Sequence, residues 1–184
     1  IIERILFYGA VKKGERDLLP RLRSSIAKGH YDEAAAICDT VDSPVSRLMK
    51  TGIENRQFSD ALVKEAVMNQ ANREVPRLER FLSTIGTIAN ISTLLGLLGT
   101  VTGNIQAFGV LGDMGTMGNP AMLASSISEA LVTTAAGLIV SIPTVVFYNY
   151  FIAEVNRMVT EMEASVSDLV LLIGAEKNKN EIQA

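Results

Sequence analysis

Residues 114–153 read MGTMGNPAMLASSISEALVTTAAGLIVSIPTVVFYNYFIA, and Glu129 is the one charged side chain among these forty. The run is long enough to cross a bilayer, which takes roughly 20 apolar residues as helix. A carboxylate inside such a run costs about 2.5–3.5 kcal/mol on insertion scales, so an intramembrane Glu is a functional candidate by default. The competing reading makes Glu129 a loop residue ahead of the helix or a structural hydrogen-bonding group. Upstream, residues 81–112 read FLSTIGTIANISTLLGLLGTVTGNIQAFGVLG, a second run with no Lys, Arg, Asp or Glu. Two such runs joined by a Gly-rich stretch (GDMGTMGNP, 112–120) predict an all-α, polytopic membrane protein built on a helical hairpin.

Outside the hairpin the chain changes character. Residues 1–80 hold 14 of the 17 Lys and Arg and 12 of the 20 acids. Mixed charge of this kind argues against a nucleic-acid platform. With one Cys (Cys38) and one His (His30), neither an internal disulfide nor a His/Cys zinc site is available. No base stands ready to activate a nucleophile, so the residues do not describe an enzyme, and no cofactor is expected. The first residue is Ile, and residues 1–8 read as the inner end of a membrane helix whose body lies upstream, with no cleavable leader in view.

The spacing predicts a helical domain over 9–80. Leu18, Leu19, Leu22 and Ile26 repeat at helical intervals and Gly29 ends that element. Further helices start near Asp32, Val45 and Asp60. The last carries Pro76, where a kink is expected, and should pass into the membrane helix 81–111 without a loop. A turn over 112–121, a second membrane helix over 122–153 containing Pro143, and an amphipathic helix and frayed tail over 154–184 complete the division. Basic residues flank the hairpin but are absent from its turn, which puts the turn outside and both flanks in the cytoplasm.

Each membrane helix shows two faces. Ser92, Gly96, Gly99 and Gly103 make a small-residue stripe on the first, and Ser126, Ala130, Thr134, Gly137 and Ser141 make one on the second. Such stripes permit close helix contact in lipid, and packing is the preferred role of the glycines. Beside them run Asn90, Thr93, Leu97, Thr100 and Asn104, and on the other helix Ser125, Glu129, Thr133, Ala136 and Val140. Thr100 and Thr134 each lie 11 residues from the turn end of their helix, about 16 Å deep, and Glu129 lies about 9 Å deep with Asn104 near its level. This reads as a column of hydroxyls, an amide and a carboxylate suited to water, protons or a small cation.

Two stretches resemble the ExbB/TolQ/MotA family of ion-driven membrane motors: LLGLLGTVTGNIQAF (94–108) and SEALVTTAAGLIVSIPTVVFYN (128–149). Looser agreement covers residues 29–34 (GHYDEA) and Ser43-Pro44. The short cytoplasmic segment and the Glu preceding ALVTTA favour the ExbB/TolQ arm. By resemblance, the family's pore Glu falls on Glu129 and its pore threonines on Thr100 and Thr134. Ideal geometry leaves Thr134 about 140° around the helix from Glu129 and Thr133 about 40° away, so either Thr133 shares the pore or Thr134 faces a neighbouring helix. Ser92-Thr93 stands where family members often carry Ala-Pro. The resemblance implies a pentameric homo-oligomeric ring in the bacterial inner membrane, around two copies of a single-span ExbD/TolR-like partner. It further implies H⁺ (or Na⁺) as the transported ion and a TonB- or Tol-type effector driven through the partner. A non-conducting membrane scaffold is the alternative. A soluble helical protein is disfavoured, because a 32-residue uncharged run is hard to bury in so small a domain.

Overall fold

A computed structural model describes the backbone of residues 1–114 and 120–183, and side chains for 1–112 and 120–175. The turn expected over 112–121 therefore lies largely outside the described residues. All described elements are helices: α1 (Ile2–Ala27), α2 (Tyr31–Asp39), α3 (Pro44–Glu54), α4 (Asp60–Leu78), α5 (Leu82–Met114) and α6 (Pro120–Gln183). The chain divides into two units, one of residues 1–80 with 153–184 and one of residues 81–152.

In the first unit the helix ends are set by local chemistry. Gly29 takes φ 75°, its N–H reaches the Ile26 carbonyl at 2.9 Å, and the His30 N–H reaches Ser25 at 3.0 Å. That paired arrangement closes α1 with a left-handed glycine. Ser43 and Ser46 cap α3 reciprocally, each hydroxyl accepting from the other's backbone N–H at 3.1 and 3.2 Å, with Pro44 in the first turn. The apolar positions 18, 22 and 26 of α1 are buried, as are Leu48 and Ile53 of α3 and Val63 and Val67 of α4. Val155, Met158, Met162, Val166, Leu169 and Ile173 supply the α6 stripe of the same core, each at most 4% exposed. Gly52 lets α3 approach Leu169 and Val67 closely. The wholly buried Glu74 carboxylate is held by Arg47 at 2.7 Å, Gln70 at 2.9 Å and Arg77 at 3.3 Å, as a buried charge requires.

Residues 1–8 open α1, which runs unbroken from Ile2 past Pro20 to Ala27. Two sequence expectations change. First, α4 does not continue into α5. It stops at Leu78, two residues after Pro76, and a three-residue turn follows in which Phe81 adopts φ 68°. The Tyr8 hydroxyl donates to the Leu78 carbonyl at 2.8 Å and Arg4 reaches the Arg77 carbonyl at 3.4 Å, so side chains of α1 cap the helix end that the proline weakens. Second, α6 is one 64-residue helix that runs unbroken through the division of the two units at 152/153 and on past Gly174, where a frayed tail is expected. It tolerates Pro143, whose missing N–H costs one backbone bond.

The second unit is the hairpin, in which Asp113 and Glu129 are the charged residues. The stretches long and apolar enough to cross a membrane have only 22% and 17% of their best windows buried. Leu94, Leu95, Leu98, Ile105, Phe108, Leu131, Val132 and Ile139 all stand more than half exposed, a surface that water would not tolerate.

Candidate functional site

The hairpin is closed by a seam of missing side chains. A Cβ on Gly137 would meet the Ser92 carbonyl oxygen at 2.7 Å and the Gly96 Cα at 2.9 Å, so backbone touches backbone there. Gly99 receives Thr133, and Gly103 receives Ala130. Further along, Gly86 receives the Tyr148 ring at 3.0 Å. In lipid, where apolar association gives little drive, this close approach is what holds helices together.

Hydroxyls line one edge of the seam. Thr100 and Thr134 share a short hydrogen bond between their Oγ1 atoms, and Thr134 also donates to the Gly96 carbonyl at 3.0 Å. Two turns further, Thr93 donates to Ser141 at 2.6 Å, and Ser141 donates to the Ala89 carbonyl at 3.0 Å. Thr100 and Thr134, expected at one level from their depth, are in contact, and Thr134 faces the neighbouring helix of its own chain. Sequence reading noted Thr93 and Ser141 but did not pair them. The signal available was their offset of seven residues from Thr100 and Thr134.

Glu129 stands apart from this edge. Thr133, about 40° from it around α6, lies against Gly99 on the opposite edge, and Glu129 projects further to that side. Asn104 is level with Glu129, since it follows Gly103 as Glu129 precedes Ala130, yet it stands on the side of Thr100. The single column expected from sequence is therefore two: Thr100, Thr134 and Asn104 on one side of the seam, Glu129 and Thr133 on the other. Both Glu129 and Asn104 are exposed, and neither has a hydrogen bond or ion pair among the described residues. An unmatched carboxylate at membrane depth must be met by water or by another chain.

A profile of the MotA/TolQ/ExbB proton channel family matches residues 40–164. The chain belongs to this family. An ExbB-like biopolymer transport protein of Synechocystis is 30% identical over 152 residues, covering 82% of this chain and 72% of that protein. The Tol-Pal system protein TolQ of Haemophilus influenzae is 38% identical over 107 residues, 56% of this chain. The biopolymer transport protein ExbB of Neisseria gonorrhoeae is 27% identical over 183 residues, 92% of this chain and 81% of that protein. The chain spans about half the length of the TolQ relative, 46% of it. The ExbB and TolQ names agree with the arm of the MotA/TolQ/ExbB family that the sequence motifs favour. The family match covers the whole hairpin seam, including Glu129 and both hydroxyl pairs.

Proposed function

We propose that this chain is the ring-forming subunit of an inner-membrane motor driven by protons (or sodium ions). In this reading five copies form a ring, the first unit is cytoplasmic, and the ring surrounds an ExbD/TolR-like single-span partner. Ion flow moves the partner relative to the ring and energises a TonB- or Tol-type process. The chain itself performs no covalent chemistry and needs no cofactor.

One observation carries the reading: Glu129, the one charged side chain from residue 114 to residue 153, has no partner among the described residues. Such a group costs a few kcal/mol at membrane depth and is by default a candidate for an ion path or a partner's side chain. The scaffold reading draws on a different observation. The Thr100 and Thr134 hydroxyls are satisfied by each other and by backbone, as packing residues would be.

The two readings diverge on Glu129→Ala. With the cognate partner co-reconstituted in liposomes, ion flux should fall at least a hundredfold while the ring stays assembled. Glu129→Asp should keep part of it, and Glu129→Gln separates charge from hydrogen bonding. Unchanged flux in Glu129→Ala would remove the residue from the mechanism and leave the scaffold.

A further inference from the structure

On the hydroxyl side of the seam, toward the residue-82 end of α5, the hairpin opens into a notch of about 430 Å³. Ser83, Thr87 and Asn90 line it from α5, and Tyr148 and Asn149 from α6. It contains no charged group. The Thr87 hydroxyl is spent on its own helix, at the Ser83 carbonyl. The Tyr148 hydroxyl and the Asn90 and Asn149 amides have no hydrogen bond among the described residues. Tyr148 is fixed in place by its ring against Gly86.

Unmatched amides and a phenol in a charge-free segment cost free energy until something bonds to them. An open notch that is both polar and this roomy admits water, at about 30 Å³ per molecule. The notch also continues a series. The Thr100–Thr134 pair, the Thr93–Ser141 pair and the Gly86–Tyr148 contact follow one another at intervals of seven residues, about 10.5 Å each. The series ends at Tyr148, six residues before Glu154, the next charged side chain along α6.

We propose that this notch is a water-filled vestibule that binds a hydrated monovalent cation, through neutral amide and hydroxyl oxygens, at the inner end of the path along the seam. The proposal rests on reading the hairpin as part of an ion path. It assigns a role to Asn90, Tyr148 and Asn149, which the pore positions Glu129, Thr100 and Thr134 do not cover.

The test uses the full chain with its cognate partner in liposomes, in a Cys38→Ala background carrying Asn90→Cys. A small, positively charged methanethiosulfonate reagent should modify the new thiol in the assembled ring. Modification should cut ion flux at least tenfold, and a reductant should restore it. Separate proton and sodium gradients decide which cation is carried. Asn90→Ser, which keeps a hydroxyl, should retain more than half the flux, whereas Asn90→Leu should not. Absence of modification would mean that protein or lipid seals the notch, and modification with flux within twofold of the untreated ring would mean that the water there is not on the path; either result overturns the vestibule. If Glu129→Ala silences an assembly whose notch variants conduct normally, the vestibule alone fails. If the unmutated assembly carries no ion, the motor reading fails and takes the vestibule with it.

Discussion

Glu15 illustrates how one side chain carries a cost inside a stable core. Burial pushes its carboxyl above the usual range, and the Val45 N–H, donating at 3.4 Å, offsets this only partly. A raised carboxyl value means that the folded state favours the protonated form. The associated stability is present below the ordinary value of 4.5 and is lost as pH rises through the raised one. Glu15→Gln should therefore raise the unfolding temperature at pH 7, with the gain vanishing below about pH 4.5. Thermal unfolding followed at both pH values checks this, and an equal gain at both would show that the effect is not electrostatic. Cys38 is the opposite kind of residue: it is 3% exposed and its thiol is pushed up to about 11 by burial, so it stays neutral and inert at physiological pH.

At the scale of elements, the glycine seam separates two kinds of glycine on sight. At Gly137 the obstructing atoms are backbone, which has no rotamer to yield, while at Gly109 nothing lies within 4 Å. Gly137→Ala should lower stability in detergent by about 1–3 kcal/mol, the usual cost of forced overpacking. Gly109→Ala should be neutral or gain up to about 1 kcal/mol from helix propensity. Unfolding temperatures of the pair decide, and equal behaviour would sink the seam as drawn. Much of this was legible in the sequence. The seven-residue spacing of Gly96 and Gly103 and the small face through Ala130, Thr134 and Gly137 announced a close contact. Two things were not legible. Which edge of the seam a residue takes depends on the rotation of both helices together, so Glu129 and Thr134 could be ordered by depth but not by side. The turn before α5 was also hidden, because residues 79–81 (ERF) contain neither Gly nor Pro and the helix end is secured from α1 by Tyr8 and Arg4.

For the whole molecule, the hairpin's outer face remains bare in a single chain, and lipid or further copies must cover it. Native mass spectrometry in detergent should find five chains; a stable monomer would end the ring model. Single cysteines at Thr116 and Lys177, in a Cys38→Ala background, should label from opposite sides of the membrane, with Thr116 reached from outside. Labelling of Thr116 only from the cytoplasmic side would invert the topology. The seam also bears on biogenesis. Every close contact described along it, and both hydroxyl pairs, join α5 to α6 of the same polypeptide. Only five residues, 115–119, separate the two helices in the chain, so the partners arrive at the membrane almost together. The translocon can then release them as a matched pair, with most of their hydroxyls already engaged. Among the described residues, the Glu129 carboxylate and the Asn90, Asn104 and Asn149 amides stay open to water or to another chain. A defect in the seam would thus disturb each hairpin by itself, before any contact with another chain.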